Sequence, residues 1–270
     1  MTEKISGFLD IQGGKLYYEA AGTGRAVVFV HAGIADHRMW DDQFETFAQK
    51  YRVVRYDTRG FGKTTSEGVE FSNRADLRAL LDYLGIDKAV LMGCSRGGQI
   101  ATDTTLESPE RVAGLITVCS GPGGFEADTS DEDVIMGDME KAEQAGDWEK
   151  VIQIDMQVWL SGFKRSIDDM PASLVQRMVD MGRLNYSHVS EENKPITLSP
   201  PGAGRLGEIN VPALIIWGDL DTNYILEASP ALADGIHGAQ RAIITGTAHL
   251  PNMEKPDEFN RIVLDFIGSI

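Results

Sequence analysis

The stretch Gly93-Cys94-Ser95-Arg96-Gly97-Gly98 directly follows the strand-like run Lys88-Ala89-Val90-Leu91-Met92. The sequence after it, from Gly98 to Glu107, is compatible with an unbroken helix that ends before Ser108-Pro109. A Gly-X-Ser-X-Gly pattern between a strand and a helix places the serine on a sharp turn with its hydroxyl exposed. Side chains at the flanking glycines would collide where the chain reverses direction. This context predicts that Ser95 is a nucleophile.

A serine nucleophile needs a base that accepts its proton, and the base needs a third group that orients it. Among the five histidines of the chain, His249 lies in a loop between a predicted strand at 240–244 and a predicted helix at 256–267. A histidine on a loop at a strand end can reach over the tip of a neighbouring strand. We therefore predict that His249 is the base, and that His31 holds its own loop as a structural residue.

The acid that supports this histidine should follow another strand, between the serine and the histidine in sequence. The apolar run Val211-Pro212-Ala213-Leu214-Ile215-Ile216-Trp217 is typical of a buried strand, and Gly218-Asp219-Leu220-Asp221 comes directly after it. The order Ser95, Asp221, His249 is the order used with this type of nucleophile turn. We favour Asp221 because it lies further along the turn, and Asp219 remains the alternative as a cap of that turn.

Acyl transfer also requires donors for the negative charge that develops on the carbonyl oxygen. One expected donor is the backbone N–H of Arg96, the residue after the candidate nucleophile. The other should come from the loop His31-Ala32-Gly33-Ile34, which follows the strand-like segment 26–30. We predict the N–H of Gly33 for this role, with Ile34 as the alternative.

Five motifs extend from about residue 25 to the end of the chain, apart from a middle insertion. They are His31-Ala32-Gly33, Asp57-Thr58-Arg59-Gly60-Phe61-Gly62, Gly93-Cys94-Ser95-Arg96-Gly97, Gly218-Asp219-Leu220-Asp221 and Ala248-His249-Leu250-Pro251-Asn252-Met253-Glu254-Lys255-Pro256. In this order they resemble the α/β-hydrolase superfamily, specifically its small esterase, enol-lactonase and cofactor-free haloperoxidase-like branch. Ala32 and Thr64 depart from the glycine and serine usual in that family. The resemblance implies that Asp57 and Arg59 organise the loop after the fourth strand.

Alternating apolar runs and amphipathic segments predict an α/β fold with a mostly parallel sheet flanked by helices. Segment 5–19, with Gln12-Gly13-Gly14 in its middle, indicates a leading hairpin. Together with strands near 26–30, 52–56, 88–93, 112–118, 213–217 and 240–244, this gives an eight-stranded sheet of the α/β-hydrolase type. Helices are predicted near 42–50, 71–84, 97–108, 225–236 and 256–267. The predicted core domain comprises residues 1–121 and 205–270.

Residues 122–204 interrupt this alternation with three helix-like stretches near 130–145, 147–161 and 171–185. Because the insertion follows the sixth predicted strand, we predict that it forms a helical cap, or lid, over the active site. Its second stretch carries an apolar stripe at helical spacing, formed by Trp148, Val151, Ile152, Met156, Trp159 and Leu160. The residues predicted to line the substrate pocket are Ile34, Trp40, Trp159 and Leu250.

The formal net charge is −16, from 25 Lys and Arg against 41 Asp and Glu. A field of this sign repels phosphate backbones and anionic membranes, so we expect neither nucleic acid nor a membrane as partner. The segment after Met1 lacks the apolar stretch of a signal peptide, and we expect a cytoplasmic protein. Cys94 and Cys119 are predicted to be reduced packing residues. The residues give no indication of the oligomeric state.

The chain has no His/Cys spacing typical of metal ligands and no glycine-rich phosphate loop, so we expect no metal and no cofactor. The leading functional prediction is a carboxylesterase-like serine hydrolase that cleaves small carboxylic esters through an acyl-enzyme. An enol-lactonase, a carbon–carbon bond hydrolase or a perhydrolase could use the same three residues. A non-catalytic ligand receptor of this fold would be favoured only if one of Ser95, Asp221 and His249 were missing.

Overall fold

A nine-stranded, mostly parallel sheet forms the centre of the molecule in the computed structural model, which describes residues 4–188 and 194–270. The strands are β1 (Lys4–Ile11), β2 (Gly14–Ala21), β3 (Ala26–Val30), β4 (Arg52–Tyr56), β5 (Thr65–Ser66), β6 (Glu70–Phe71), β7 (Ala89–Cys94), β8 (Val112–Val118), β9 (Lys194–Pro195), β10 (Ala213–Gly218) and β11 (Gln240–Ile244). The sheet order is β1-β2-β4-β3-β7-β8-β10-β11. β1 pairs with β2, and β2 with β4, in antiparallel orientation. Along the rest of this order, from β4 through β3 to β11, every neighbouring pair is parallel.

The inner strands consist of almost continuous apolar residues because helices cover both faces of the sheet. Every residue of β3, β7 and β10 is buried. The helices are α1 (Asp41–Ala48), α2 (Asn73–Tyr83), α3 (Arg96–Glu107), α4 (Asp133–Gln144), α5 (Trp148–Asp155), α6 (Ala172–Tyr186), α7 (Asn223–Gly235), α8 (Pro251–Glu254) and α9 (Pro256–Ser269). The predicted α/β architecture is thus confirmed, and the eight predicted strands correspond to β1–β4, β7, β8, β10 and β11, whereas β5 is a ninth strand of the same sheet.

Two short pairings were not predicted from the sequence. β5 pairs with β2, and β6 pairs in parallel with β9 to form a separate two-stranded sheet. Each of these strands has only two residues, so neither can display the alternation by which a strand is detected in a sequence. The second pairing joins the core segment that precedes α2, Glu70–Phe71, to the end of the insertion, Lys194–Pro195.

The insertion at 122–204 contains α4, α5 and α6 among its described residues, and residues 189–193 of the predicted cap lie outside them. α5 continues directly into a π-helical segment, Met156–Ser161, a rare form that occurs preferentially at functional sites. The predicted apolar stripe packs in two directions. Ile152, Met156 and Leu160 join the main core, whereas Val151 belongs to a second cluster within the insertion, against which Trp148 and Trp159 pack.

Two residues predicted to line the pocket are instead packing residues. Trp40 precedes α1 and has no exposed surface, and its ring lies against Phe29 and Phe259, with centroids 5.2 and 6.3 Å away. Leu250 is likewise fully buried in the main core, where the histidine loop turns into α8. Both predictions are wrong because proximity in sequence to a site loop does not fix which way a side chain points.

Within the two described ranges, no helix combines the length and the apolar character needed to cross a bilayer.

Candidate active site

Ser95 lies on a strained turn between β7 and α3. Its φ of 54° and ψ of −119° belong to a region that residues with a side chain rarely adopt. A side chain at Gly93 would strike the backbone of Gly97, and one at Gly97 would strike the carbonyl oxygen of Val30. The N–H of Ser95 donates to the carbonyl of Val118 at 2.8 Å, which fixes the turn to β8. The glycine spacing of the motif therefore reflects close backbone packing around this serine.

Asp221 and His249 form a buried pair at the carboxyl ends of β10 and β11. The Nδ1 atom of His249 lies 3.0 and 2.9 Å from the two carboxylate oxygens of Asp221. A carboxylate can only accept, so Nδ1 carries the proton and donates it to Asp221. The side chain's other nitrogen, Nε2, is left with the lone pair that a base requires. The N–H of Thr222 also donates to Asp221, at 2.7 Å.

Asp219, the alternative acid, has a different partner. Its Oδ1 accepts a hydrogen bond from the N–H of Gly246 in the histidine loop. It thereby joins the turn after β10 to the turn after β11, whereas the alternative considered from the sequence was a cap within the turn after β10. Asp221 is the carboxylate that reaches His249.

Ser95 and His249 line a common cavity of about 240 Å³. The other lining residues are Arg96, Gln99, Ser120, Gly121, Trp159, Tyr224 and Ile225. The cavity therefore combines a hydroxyl on a strained turn, an imidazole held by a carboxylate, and walls from both the sheet loops and the insertion.

Trp159 covers the imidazole of His249. The two ring centroids are 4.6 Å apart at an interplanar angle of 49°, and the N–H of His249 lies 3.3 Å from the carbonyl of Trp159. The π-helical segment thus contributes both a ring contact and a backbone acceptor to this histidine. Of the predicted pocket residues, Trp159 lines the cavity that contains Ser95.

The two residues that carry the candidate oxyanion donors, Gly33 and Arg96, lie next to each other. An ideal Cβ placed on Gly33 would be 3.8 Å from the Cβ of Arg96, in ordinary van der Waals contact. The N–H of Arg96 belongs to the first turn of α3, where amides lack an acceptor within the helix and the helix dipole favours negative charge. Gly33 and Ile34 both line a second, larger cavity beside Arg96.

This larger cavity has a volume of about 530 Å³ and mostly aromatic and aliphatic walls. Its lining residues are Gly33, Ile34, Arg59, Gly60, Phe61, Phe71, Arg96, Glu143, Trp148, Gly182, Asn185, Tyr186, His188 and Pro195. Ile34 is the predicted pocket residue that it contains. Arg96 lines this cavity as well as the cavity that contains Ser95.

Burial lowers the pKa of Arg96 to about 10, which leaves its guanidinium charged at neutral pH. The guanidinium lies over the ring of Phe61, 4.4 Å from the centroid, and its Nη2 donates to the hydroxyl of Thr58. The sequence motif identified the backbone of Arg96 but gave no indication of where its side chain lies.

Several residues that support the histidine loop were not predicted. Glu254 accepts a hydrogen bond from the N–H of Ala248 at 2.7 Å and one from Arg165 at 2.6 Å. Burial raises the pKa of Glu254 above its ordinary value, although the hydrogen bonds from Arg165 and Ala248 lower it in part. Arg165 comes from the insertion and also donates to the carbonyl of Gly246. This ion pair fastens the insertion to the loop that carries the candidate base.

The thiols of both cysteines are free and also contact the histidine loop. Cys94 and Cys119 lie 3.5 and 3.6 Å from the carbonyls of His249 and Ala248, respectively, as weak donors. Burial raises the pKa of each thiol well above its ordinary value, so both stay protonated. They are packing residues that also satisfy carbonyls of the loop.

His31, the histidine of the motif His31-Ala32-Gly33, is entirely buried, and burial lowers its pKa to about 4. Its Nδ1 lies 2.7 Å from the carbonyl of Ala32, and its Nε2 accepts from the N–H of Thr58 at 3.0 Å. A neutral ring that bridges two loops has the structural role expected for it.

Asp57 and Arg59 organise their loop through hydrogen bonds. Asp57 accepts from the Nδ1 of His37 at 2.8 Å and from the N–H of Lys63 at 2.8 Å. Burial alone would raise the pKa of Asp57, but these hydrogen bonds hold that pKa below its ordinary value. Arg59 forms a two-point ion pair with Asp76, at 2.7 and 3.0 Å.

Two buried clusters bring potential metal ligands within 4.8 Å of one another: Cys119, Asp221 and His249 form one, and Asp36, His37 and Asp57 form the other. In the first, the carboxylate is hydrogen-bonded and the thiol is protonated, as described above. In the second, Asp36 accepts from Arg38 at 2.6 Å and Asp57 is hydrogen-bonded to His37. The ligand atoms are thus engaged by protein donors, which does not fit an ion site.

The sheet order, the serine turn after β7 and the histidine after β11 define an α/β hydrolase. The chain belongs to the alpha/beta hydrolase fold family, whose model matches residues 25–256. The family resemblance inferred from the five motifs is confirmed.

Individual relatives are hydrolases and lactonases. The chain is 30% identical over 270 residues to a 2-hydroxy-6-oxo-6-phenylhexa-2,4-dienoate hydrolase of Comamonas testosteroni, covering 93% of this chain and 91% of that protein. It is similar to the solved structure of Est816, described as an N-acyl homoserine lactone degrading enzyme, with a TM-score of 0.72, 26% identity, and coverage of 96% and 100%. An enol-lactonase from Burkholderia xenovorans LB400 shares the fold at a TM-score of 0.78 and 22% identity, with coverage of 97% and 100%.

Proposed function

We propose that this chain is a serine hydrolase that cleaves small carboxylic esters or lactones through an acyl-enzyme. Ser95 acts as the nucleophile, His249 as the base, and Asp221 orients and supports the histidine. The observation that carries the proposal is the buried Asp221–His249 pair, whose histidine lines the same cavity as a serine held at positive φ. Buried, mutually hydrogen-bonded groups beside a strained nucleophile are typical of acyl-transfer sites.

In the proposed reaction, Nε2 of His249 takes the proton of Ser95 as its Oγ attacks the substrate carbonyl. The N–H groups of Arg96 and Gly33 receive the oxyanion. The tetrahedral intermediate collapses when His249 returns the proton to the leaving alcohol oxygen. Water then attacks the acyl-enzyme by the same route and releases the acid and free Ser95. Asp221 stabilises the imidazolium at each stage without becoming protonated.

The proposed substrate is a small molecule enclosed by the insertion, with residues 122–204 acting as the cap. Trp159 in one cavity, and Trp148 and Tyr186 in the other, come from the insertion, whereas the reacting groups come from the sheet loops. The cavity that contains Ser95 and His249 has a volume of about 240 Å³, and the second cavity, of about 530 Å³, is within the range of small-molecule sites.

Carbon–carbon bond hydrolysis is the second candidate, and the 30% identity to a dienoate hydrolase over 93% of this chain favours it. In that reaction the same oxygen nucleophile adds to a ketone. The bond next to the carbonyl then breaks, provided that the departing carbon leaves as a stabilised enolate that accepts a proton. The same three residues would serve, so substrates must separate the two chemistries.

Purified protein should be assayed with p-nitrophenyl esters of two to twelve carbons, a set of lactones, hydrogen peroxide with acetate, and 2-hydroxy-6-oxo-6-phenylhexa-2,4-dienoate. The proposal predicts the highest kcat/KM with an ester or a lactone. Faster turnover of the dienoate would support the second candidate, and failure of every substrate would contradict both.

Trp159→Ala should extend the range of acyl chains that the protein hydrolyses. Each methylene that fits contributes about 0.8 kcal/mol of burial, or about fourfold in kcat/KM, until the chain meets the wall of the 240 Å³ cavity. Wild-type kcat/KM should therefore rise with chain length and then fall abruptly. Removal of the indole should move this fall to longer chains, as measured with the p-nitrophenyl ester series.

Trp148→Ala provides the matched control. Trp148 stacks on Tyr186 in the other cavity, with centroids 5.3 Å apart, so its loss should leave the acyl limit in place. If Trp159→Ala lowers the melting temperature but leaves the chain-length profile unchanged, Trp159 serves only the packing of the insertion.

A further inference from the structure

A series of hydrogen bonds connects the side chain of Arg96 to the loop that carries the second candidate oxyanion donor. The Nη2 of Arg96 donates to the hydroxyl of Thr58. That hydroxyl lies 3.0 Å from Nε2 of His31, which also accepts from the N–H of Thr58 at 3.0 Å. Because Nε2 accepts, the ring proton is on Nδ1, which donates to the carbonyl of Ala32 at 2.7 Å. We call this series, from Arg96 through Thr58 to His31, the hydrogen-bond relay.

The carbonyl at the end of the relay belongs to the same peptide unit as the N–H of Gly33. The unit is planar and trans, so its C=O and N–H point in opposite directions. A donor that holds the oxygen of Ala32 on the side of His31 therefore turns the N–H of Gly33 to the other side. The N–H of Ala35 also donates to this oxygen, at 3.1 Å. The direction of the proposed oxyanion donor is thus set by two hydrogen bonds, one of which comes from the relay.

Phe61 packs against both ends of the relay. Its ring centroid lies 5.1 Å from that of His31 and 4.4 Å from the guanidinium carbon of Arg96. His31 has no exposed surface, and Thr58 is 1% exposed. In such an interior, linked hydrogen bonds polarise one another. The positive charge of Arg96 therefore strengthens the bond from the hydroxyl of Thr58 to His31 and, through the ring, the bond to the carbonyl of Ala32.

The relay also lies directly beside the serine turn. A side chain at Gly97 would come within 2.6 Å of the carbonyl oxygen of His31, and a Cβ on Gly33 would lie 3.7 Å from Cδ of Arg96. The start of α3 and the end of β3 therefore pack backbone against backbone. A small rotation of the peptide that His31 holds would change the distance between the N–H of Gly33 and a carbonyl bound at Ser95.

We propose that Thr58 and the side chain of Arg96 are positioning residues that act through His31 on the oxyanion donor of Gly33. The inference rests on the proposed function and adds to it the residues that set the geometry of the oxyanion site. Arg96 then serves the oxyanion twice, through its own N–H and through the relay that orients the second N–H.

Thr58→Val tests the middle of the relay. It removes the hydroxyl but keeps the overall shape and the backbone N–H that donates to His31. On the best ester of the panel, kcat should fall about 10-fold, which is part of the 10²- to 10³-fold loss seen when a whole oxyanion donor is removed. KM should stay nearly the same, because the ground-state ester does not depend on this donor. Thr58→Ser retains the hydroxyl and should restore kcat to near the wild-type value.

Arg96→Met tests the start of the relay and is the second variant if Thr58→Val does not fold. It should lower kcat by itself. Because both residues act through His31, Thr58→Val should cost a smaller factor in the background of Arg96→Met than in the wild type. Equal factors in the two backgrounds would show that the residues act independently and would overturn the relay, as would an unchanged kcat in Arg96→Met.

A trifluoromethyl ketone with the acyl chain of the best ester measures the oxyanion donors without turnover. Oγ of Ser95 adds to its carbonyl while the hydroxyl proton passes to His249, and the former carbonyl oxygen takes the place of the oxyanion. For an analogue of the transition state, Ki should rise in each variant by the factor by which kcat/KM falls. Calorimetric binding of the ester to Ser95→Ala should be the same with and without Thr58→Val. A Ki that does not follow kcat/KM would overturn the positioning role.

Thr105→Val is the matched control for loss of a buried threonine hydroxyl. Thr105 is 2% exposed, and its hydroxyl donates to the carbonyl of Ala101 within α3 at 2.7 Å, so kcat and Ki should keep their wild-type values. A wild-type protein that turns over no substrate and forms no ketone adduct would contradict the proposed function, and the positioning role with it. An active wild type, together with a Thr58→Val variant that keeps the wild-type kcat and Ki, would overturn the positioning role alone.

Discussion

Asp221→Asn should lower kcat by roughly 10³- to 10⁴-fold, comparable to the loss when a triad aspartate is neutralised in a serine protease. Asn can occupy the same space, but its amide can present an N–H to Nδ1 of His249 and so stabilise the opposite tautomer. Nε2 would then carry the proton and could not accept one from Ser95. Steady-state kinetics on the best ester of the panel, with the melting temperature as a check on folding, measures the effect.

Asp219→Asn is the matched control because it makes the same substitution two residues away on the same turn. The amide oxygen of Asn can still accept from the N–H of Gly246, the bond that Asp219 makes now. We expect a stability cost of about 1 kcal/mol or less and nearly wild-type kcat. If the losses at 219 and 221 are exchanged, the acid has been assigned to the wrong residue.

The parts of the fold that the sequence predicted are those where backbone constraints act over short distances. Gly93 and Gly97 can only be glycine because other backbone lies against them, so the turn leaves a readable pattern. The buried strands β3 and β10 leave continuous apolar runs for the same local reason. The order of the motifs then fixed which loops meet at the carboxyl edge of the sheet.

The lining of the cavities depended on side-chain direction, which a sequence pattern does not encode. Trp40 and Leu250 lie beside site loops in the chain yet point into the core. Arg96 was predicted only for its N–H, but the residue lines both cavities and its guanidinium lies over the ring of Phe61. The signal that could have identified it is a cation directly after the serine, where the turn must project that side chain towards the oxyanion loop.

The two-residue pairing of β6 with β9, and the ion pair between Arg165 and Glu254, hold the insertion to the core over long sequence separations. Each depends on a single contact between distant segments rather than on a repeating pattern. Contacts of this kind become visible only when the chain is folded.

Ser95→Ala should abolish covalent labelling by an organophosphate probe and lower kcat by about six orders of magnitude, as for loss of the nucleophile in a serine protease. The substitution removes only the hydroxyl group, and the backbone that holds φ at 54° is unchanged. The variant should fold as stably as the wild type or more so, because the hydroxyl of Ser95 makes no capping hydrogen bond to α3 that would be lost. Intact-protein mass spectrometry after probe treatment gives the direct measurement.

Ser120→Ala tests whether a neighbouring hydroxyl could explain the labelling instead. Ser120 lines the same cavity, and its Oγ donates to the carbonyl of Ser95 at 2.8 Å. Because that hydroxyl is already used to support the turn, its removal should leave the labelled residue the same and reduce the rate only modestly. Labelling that persists in Ser95→Ala and disappears in Ser120→Ala would make Ser120 the nucleophile. Labelling lost only in Ser95→Ala, with the adduct mapped to the peptide containing Ser95, would assign the acyl-enzyme to the turn after β7.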